Sequence, residues 1–406
     1  MRILQIVPKP PLPSVDGGTL AMQSITEALL KQHTESPSQN ELKVLAICTK
    51  KHPFLTAQMP AAYKLKTKIE AVFINTNVTF FSALFNLFSS SCYNVNRFYS
   101  LNFERKLIAI LQKNTFDIIQ LESLYTASYI DVIRKNSKAK IILRAHNVES
   151  ELWKRRTLIE KNSFKRSWFK HLTKNLSTCE VSSLKKVDAI IPITQQDAES
   201  ISTLLDGTKK PMLVLPFAME LSSTISYLKK EKGTVFHIGA MDWIENSEGV
   251  KWLMHKVWPL VISKIPYATL HLAGRGLTQG DETYYGENIF NHGEVESAEQ
   301  FMNKFEVMVI PLLSGGGMRV KLVEGMALGK AIVSTSIGAE GTATENGKEL
   351  LIENEALDFA NAICNLIHNP IFAEELGKRA NKFALEHFNL NESSKKLNEF
   401  YTSLMQ

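Results

Sequence analysis

Apolar residues along this chain fall into short runs that alternate with segments of helical spacing. The runs of the first half are Ile3 to Val7, Leu42 to Cys48, Ala71 to Ile74, Asp117 to Leu121, Lys140 to Ala145 and Ala189 to Ile193, and those of the second half are Thr234 to Ile238, Thr269 to Ala273, Val307 to Leu312 and Ala331 to Thr335. Runs that are apolar on both faces are typical of parallel strands covered by helices on each side. The pattern therefore predicts an α/β protein with two doubly wound, Rossmann-like domains in tandem.

The boundary between the two series falls in a segment of changing polarity. Residues 212–233 begin with an apolar run and end with several charged residues before a glycine. We therefore predict an N-terminal domain over residues 1–210 and a C-terminal domain over residues 211–387. Beyond residue 370 the spacing predicts helix up to the last residue of the sequence.

Composition is that of a folded protein. With 406 residues, of which 44% are hydrophobic and 22% charged, the chain is too long for a lone small binding module and too apolar for disorder. The most apolar later stretch, residues 78–88, is about half as long as a membrane-spanning helix, and the first residues lack the pattern of a signal peptide. The four cysteines are far apart, so we expect neither a zinc site nor disulfides, and a cytoplasmic location.

The strongest local motif follows the strand that ends near Pro311. Three glycines, residues 315–317, allow a close approach of the backbone to a ligand, and the helix that follows offers free N–H groups to an anion. Arg319 and Lys321 add positive charge at this helix start, and Glu324, one turn further on, can accept bonds from two sugar hydroxyls. The motif indicates a phosphate-binding loop, and the alternative is a glycine-rich turn with ordinary surface charges.

This segment, together with Ser334 to Gly341 after it, resembles the donor-site signature of glycosyltransferase family 4, whose members are retaining enzymes of the GT-B fold. A common form of that signature has two glutamates with seven residues between them; Glu324 matches the second, and Gly316 stands in place of the first. One branch of the family carries Gly-x-Arg-x-Lys before the second glutamate, and residues 317–321 are similar to it. The resemblance covers nearly the whole chain.

The resemblance implies a GT-B fold: two Rossmann-like domains with an interdomain cleft, and a C-terminal helix, residues 388–406, that returns to the N-terminal domain. Family members often carry an arginine and a lysine after the first strand of the C-terminal domain to hold the diphosphate. Here Gly239 is followed by residues 240–246 without either cation. Arg319 and Lys321 are then the best candidates to balance the charge of the leaving group.

Further donor contacts follow from the resemblance. The implied donor-binding residues are Gly17, Gly18, Gly274, Arg275, Val295, Gly316, Gly317, Met318, Val320 and Glu324. Asn246 and Trp243 are expected to shape the pocket, although a tryptophan is more often a core residue. Thr194 and Asp197 we interpret as a helix cap.

His146 follows the strand over residues 140–145 and is the main candidate in the N-terminal domain. A lone histidine at a strand end is more often structural, but the family's equivalent histidine contacts the transferred sugar. The resemblance therefore makes His146, like Arg319 and Lys321, a catalytic candidate. Glu122 and Asn147 are candidates for contacts to the acceptor, with a structural or capping role as the alternative for Glu122.

No Asp-x-Asp pattern and no histidine cluster with ligand spacing is present, so we expect no metal and no other cofactor. The predicted function is a retaining, metal-independent glycosyltransferase that moves a sugar from a nucleotide-diphosphate sugar to a glycan or lipid-linked acceptor in cell-envelope polysaccharide or glycoconjugate synthesis. Nucleic acid is not an expected partner. The alternatives are an epimerase or hydrolase that acts on a sugar nucleotide, and an inactive sugar-nucleotide-binding relative.

Residues 151–175 carry the charge excess of the chain. They hold eight of the 47 basic and two of the 41 acidic residues, so the rest of the chain has 39 of each. Phe164, Trp168, Phe169 and Leu172 have helical spacing, which predicts an amphipathic helix on an anionic membrane surface, extended by the phenylalanines of residues 80–88. The alternative is a solvated charged face with its aromatic side chains turned inward.

Overall fold

The computed structural model describes residues 1–13, 17–35, 41–76, 92–160, 162–221, 231–278, 282–315 and 318–406. The strands of this described part are β1 Arg2–Val7, β2 Glu41–Cys48, β3 Glu70–Phe73, β4 Ile118–Glu122, β5 Lys140–Ala145, β6 Ala189–Pro192, β7 Glu231–Ile238, β8 Thr269–Ala273, β9 Ile289–Asn291, β10 Phe305–Ile310, β11 Ala331–Ser334 and β12 Leu351–Ile352.

The helices of the same ranges are α1 Gly17–Glu35, α2 Ala61–Thr67, α3 Tyr93–Asn96, α4 Leu101–Lys113, α5 Ile130–Asn136, α6 Glu149–Ile159, α7 Ser163–Lys186, α8 Gln195–Leu204, α9 Ile244–Trp252, α10 Trp258–Lys264, α11 Ala298–Lys304, α12 Val320–Ala327, α13 Ala356–His368, α14 Pro370–His387 and α15 Leu390–Met405. A π-helical turn over Leu253–Val257 joins α9 to α10. Within these residues no helix is both long and apolar enough to cross a membrane.

The chain divides into two compact units. The first unit comprises Met1–Met219 and Leu390–Gln406, and the second comprises Glu220–Asn389. The predicted boundaries at residues 210 and 387 therefore lie too early. Residues 211–219 stay with the first unit because their backbone continues along its sheet, where Leu213 donates to Ile190 and Leu215 donates to Pro192.

Each unit is built on one six-stranded parallel sheet. The strand orders are β3-β2-β1-β4-β5-β6 and β12-β11-β10-β7-β8-β9, so both sheets have the same topology. The first strand of each unit, β1 or β7, lies between the second and the fourth strand of that unit. Chain connections leave this position in opposite directions, and ligands of doubly wound folds bind at the carboxyl ends of the strands there.

The last helix belongs to the first unit. Helix α15 packs against α1, and the Ser394 hydroxyl donates to the Ala28 carbonyl at 2.7 Å. Leu397 and Tyr401 are fully buried with residues of β1, β2 and β5. One face of the first sheet is therefore covered by helices from both ends of the chain.

The basic segment lies in two helices. Residues 151–159 belong to α6 and residues 163–175 to α7, which contains the whole predicted stripe from Phe164 to Leu172. Phe169 and Leu172 are buried, whereas Phe164 is 89% exposed. The proposed stripe therefore does not lie on one solvent-facing surface. Residues 80–88, the predicted extension of that surface, lie outside the described residues.

Candidate functional site

In the second unit, a histidine joins the two strands at the topological switch point. His237 lies near the carboxyl end of β7 and is fully buried. Its Nδ1 atom is 2.8 Å from the carbonyl oxygen of Val309 on β10. Burial and the nearby charge of Lys321 hold the pKa of His237 well below its ordinary value. The imidazole is therefore neutral at physiological pH.

Lys321, in the first turn of α12, extends toward this histidine. Its Nζ atom lies 2.8 Å from Oδ1 of Asn246 and 3.3 Å from Nε2 of His237. The Asn246 amide is oriented by a second bond, because its Nδ2 atom donates to the carbonyl of Ala240 at 2.8 Å. The predicted part of Asn246 in shaping this region is thus a direct contact to the lysine ammonium.

The hydrogen-bond partners of the Lys321 ammonium are neutral groups. Among the described residues Lys321 makes no ion pair with a carboxylate. Burial, followed by the charge of Arg319, lowers the pKa of Lys321 to about 7. An enclosed cation with neutral hydrogen-bond partners is the arrangement expected of a group that binds an anion.

Arg319 is the N-cap residue of α12. A Cβ atom built on Gly315 would lie 3.0 Å from Arg319 Nη2 and 3.2 Å from Glu245 Cγ, so the guanidinium lies over this glycine. Burial lowers the pKa of Arg319, and the charges of Glu340 and Glu245 oppose that shift. Two cations thus lie at the start of one helix, where the helix dipole also favours an anion.

Two glycine loops come together beside Lys321. A Cβ atom on Gly239 would lie 2.8 Å from Lys321 Nζ, and one on Gly274 would lie 1.9 Å from the carbonyl oxygen of Gly239. Gly274 also has a φ of 134°. Only glycine satisfies both requirements at residue 274, so these residues keep the space at the ends of β7 and β8 open.

The other predicted donor residues of this unit differ in how exposed their side chains are. Arg275 is exposed and forms an ion pair with Asp242 at 3.0 Å. Trp243 is 48% exposed, so the interpretation of this residue as core is wrong. Val295, Met318, Val320 and Glu324 are half-buried, and burial raises the pKa of Glu324. Gly316 and Gly317 lie outside the described residues.

In the first unit, His146 follows β5 and contacts a buried carboxylate. His146 Nε2 is 2.8 Å from Glu122 Oε2, and Arg144 Nη1 is 3.5 Å from the same oxygen. Burial would raise the pKa of Glu122, but the bond from His146 and the charge of Arg144 hold it below its ordinary value. Burial lowers the pKa of His146 more than Glu122 raises it, so His146 is neutral beside an ionised glutamate.

Glu122 is fully buried, and its carboxylate is hydrogen-bonded within the first unit, while the predicted contact to an acceptor stays a prediction. Its Oε1 atom accepts bonds from Gln5 at 3.1 Å and from Gln120. Gln120 in turn accepts a bond from the Tyr401 hydroxyl on α15. Glu122 therefore orients His146, and the rest of the sheet orients Glu122.

The loop over residues 146–148 and the first residues of α6 are held by two more carboxylates. The backbone N–H groups of Glu149 and Ser150 donate to the Glu180 carboxylate at 2.8 and 3.1 Å. Thr194 accepts a bond from the Asp197 N–H at 3.0 Å, which confirms the predicted cap, while the Asp197 carboxylate accepts one from the Val148 N–H. Asn147 lies half-buried in this fixed loop.

The glycine pair after β1 lies at the start of a helix. Helix α1 begins at Gly17, so Gly17 and Gly18 are in its first turn. Because this turn follows β1, it lies at the carboxyl edge of the first sheet, near the switch point beside β1. This placement suits the anion contact that the resemblance implies.

Sequence reasoning did not single out His237, Gln5, Gln120 or Arg144. Each is a polar residue inside an otherwise apolar strand, and each is fully buried. Such an interruption is the signal that was available, because a buried polar side chain must find a partner. The partners themselves are distant in sequence and become visible only in the fold.

Each unit has the sheet topology of a Rossmann-like domain, and comparisons with known proteins show what the chain is similar to. Residues 232–369 match the family described as Glycosyl transferases group 1. The second unit is therefore a group 1 glycosyltransferase domain, and the chain is an enzyme of the glycosyltransferase class with a GT-B fold.

Individual relatives are distant. A protein of Klebsiella pneumoniae, described as an uncharacterized 44.6 kDa protein in the cps region, is 26% identical over 296 residues, which are 70% of this chain and 74% of the relative. Among solved structures, Anabaena Alr3699/HepE in complex with UDP has a TM-score of 0.63 at 13% identity, covering 99% of this chain and all of that one.

Two further structures have similar scores. Sucrose-phosphate synthase from Thermosynechococcus elongatus has a TM-score of 0.66 at 15% identity, covering 100% of this chain and 99% of its own. The pneumococcal O-GlcNAc transferase GtfA, solved with UDP and GlcNAc, has a TM-score of 0.64 at 12% identity with the same coverage. These likenesses extend over both units and concern the fold.

Proposed function

We propose that this protein is a retaining, metal-independent glycosyltransferase of family 4 that uses a nucleotide-diphosphate sugar as donor. The observation that carries the proposal is the pair of cations at the start of α12, of which Lys321 is enclosed by neutral partners at the carboxyl ends of β7 and β10. A leaving diphosphate develops negative charge as the sugar departs, and fixed cations and helix N–H groups stabilise it without reorganisation.

In the proposed reaction, the bond between sugar C1 and the diphosphate oxygen breaks while Arg319 and Lys321 take up the developing charge. The acceptor hydroxyl attacks C1 from the face that the diphosphate leaves, and the departing phosphate accepts its proton. No protein nucleophile is needed. Glu324 is assigned to the donor's ribose hydroxyls, since its carboxylate lies one turn along the same helix.

His146 is assigned to the transferred sugar. A carboxylate can only accept a hydrogen bond, so the contact to Glu122 places the proton of the neutral imidazole on Nε2. Nδ1 then presents a lone pair that can accept a bond from a sugar hydroxyl. Asn147, beside it in the fixed loop, is assigned to the acceptor side.

A glycan or lipid-linked acceptor is the proposed acceptor class. The relative in a cps region and the neighbours solved with UDP, glucose or GlcNAc support polysaccharide synthesis from a sugar nucleotide.

We also propose that the end of α6 and the start of α7 dock on an anionic membrane surface. Leu158, near the end of α6, and Phe164, at the start of α7, are 75% and 89% exposed, and exposed cations lie on the same two helices. These cations are Lys154, Arg155, Arg156, Lys165, Arg166, Lys170 and Lys174. Exposed apolar side chains within a basic surface favour the interface of anionic lipid bilayers.

The deciding experiment is a donor panel. Purified protein is mixed with UDP, GDP and ADP sugars, and nucleotide release is measured with and without lipid extract and with and without chelator; the anomeric configuration of the product is read by NMR. We expect acceptor-dependent release that survives chelation, with retention of configuration. Release without acceptor would favour the hydrolase or epimerase, and the absence of any shift in melting temperature with a sugar nucleotide would refute the donor site.

A further inference from the structure

His237 has no role in the proposed reaction, yet it is fully buried at the switch point of the second sheet and contacts Lys321, the lysine of the proposed phosphate site. Its Nδ1 atom must carry the imidazole proton, because the carbonyl oxygen of Val309, 2.8 Å away, can only accept. The neutral ring therefore presents the lone pair of Nε2 to Lys321 Nζ. This contact has the polarity of a hydrogen bond from an ammonium to an imidazole nitrogen.

We propose that His237 is a positioning residue of the diphosphate site: it accepts a hydrogen bond from Lys321 and so holds that side chain as a cation at the ends of β7 and β10. The inference rests on the proposed function. A residue on the first strand of the second unit would then position a lysine side chain on a helix 84 residues later in the sequence.

The geometry fixes the ammonium on two sides. Lys321 donates to Asn246 Oδ1 and to His237 Nε2, and an ammonium has three N–H donors. The third donor remains for a phosphate oxygen. Gly239 lies so close that its missing side chain leaves the space for this arrangement, since a Cβ atom there would be 3.1 Å from His237 Nε2.

The charges around Lys321 disfavour its protonated form, so a hydrogen-bond acceptor is needed to stabilise the ammonium. Arg319 is the charged group whose field acts on it, and that field opposes protonation. Glu245 and Glu340 act on Arg319 instead, and Glu324, half-buried on the same helix, has a raised pKa. A bound diphosphate reverses this balance, because its negative charge favours the ammonium. Donor binding should then take up a proton above about pH 7.

The test compares two substitutions of one residue. Asn in place of His237 keeps a donor near Nδ1 for the Val309 carbonyl but removes the acceptor for Lys321; Gln places an amide oxygen near Nε2 and restores that acceptor. The affinity of UDP, and of GDP and ADP in parallel, is measured by calorimetry between pH 6 and 9 in buffers of different ionisation enthalpy. Buffer dependence reports the number of protons taken up.

For the wild type we expect the affinity to fall by up to roughly tenfold per pH unit above pH 7, with proton uptake. In His237→Asn the fall should begin at lower pH, and the dissociation constant at pH 7.5 should be at least about fivefold higher; His237→Gln should recover most of that loss. His271→Asn is the matched control, since His271 is a buried histidine on the neighbouring strand β8 that contacts His292 instead. Its pH profile should be that of the wild type.

Three results would overturn the inference. One is a His237→Asn variant with wild-type affinity at every pH, and another is a loss of equal size at every pH, which would indicate a merely structural role. If that variant does not fold, ¹⁵N-histidine NMR of the wild type and of Lys321→Met decides: the His237 Nε2 resonance must move when the lysine is removed, and an unmoved resonance refutes the contact. A wild type that binds none of the three nucleotides would refute the proposed function itself.

Discussion

His146 Nε2 lies 2.8 Å from Glu122 Oε2, on a glutamate that no solvent reaches. The glutamate is held in turn by glutamines of β1 and β4 and by the Arg144 guanidinium. Since each of these partners comes from a different part of the first unit, the position and tautomer of His146 depend on the assembly of the whole sheet.

Replacing Glu122 by Gln should lower kcat by roughly ten- to a hundredfold. The amide has the same shape but can donate to Nε2, which would move the imidazole proton to Nδ1 and remove the lone pair assigned to the sugar. UDP affinity should stay unchanged, because the nucleotide site is assigned to the second unit. Glu70→Gln, which changes a surface ion pair, is the control, and a Glu122→Gln enzyme with normal kcat would contradict the role of His146.

Replacing Lys321 by Met should lower kcat/KM by roughly a hundredfold or more, because a charge on the leaving group is no longer balanced. Lys256→Met, which alters an exposed lysine of the same unit, should have a normal rate. Normal turnover in Lys321→Met would remove the phosphate assignment.

The same Lys321→Met protein should melt at a higher temperature than the wild type at pH 6. The pKa of Lys321 is about 7 when folded and about 10.4 in an unfolded chain, so unfolding takes up a proton between these values and wild-type stability rises with pH there. The advantage of the Met variant should therefore be largest at and below pH 7 and shrink toward pH 10. Differential scanning calorimetry across this range checks the sign; an advantage that grows with pH would exclude a buried lysine ammonium.

Replacing Gly274 by Ala should destabilise the second unit by roughly 2–5 kcal/mol, since both a strained φ and a collision with the Gly239 carbonyl result. Gly347→Ala is the matched control. Gly347 also has a positive φ, 80°, but open space around it, so the cost should be about 1 kcal/mol. Urea unfolding measures both, and equal losses would show that the loops after β7 and β8 are not in contact.

Neutralising Lys154, Arg155, Lys165, Arg166 and Lys170 should weaken binding to phosphatidylserine vesicles by roughly tenfold or more, because each basic residue near such a surface contributes about 1 kcal/mol. Arg156 is retained, since its guanidinium lies over the rings of Trp153 and Phe169 and supports the packing of α6 on α7. The control neutralises five exposed lysines elsewhere in the first unit: Lys50, Lys51, Lys66, Lys113 and Lys135. Vesicle binding that falls equally in both variants would reflect net charge alone.

The strands that could be predicted from the sequence are those with long apolar runs. All ten predicted strands are present, with ends that differ by up to three residues. The two that were missed, β9 and β12, have three and two residues at the outer edges of the second sheet. Edge strands this short bury few side chains, so they leave little periodicity in the sequence.

Within the candidate site, the residues whose proximity could be predicted from the sequence are those of a local motif. Arg319, Lys321 and Glu324 share one short segment, so their proximity follows from spacing alone. The Lys321–His237 and His146–Glu122 contacts join residues 84 and 24 positions apart, and they depend on the order of strands in each sheet. A single sequence does not contain that order.

The hydroxyl of Tyr401 completes the bonds of Gln120, and through it those of the carboxylate beside His146. A ribosome makes residue 401 only after the entire second unit. During synthesis the second unit can therefore fold completely while the first unit still lacks the hydrogen bond from Tyr401 to Gln120. The hydrogen bonds that orient His146 are therefore completed last during synthesis. A premature stop codon within α15 would leave every strand of both sheets intact and still produce an enzyme whose histidine is misaligned.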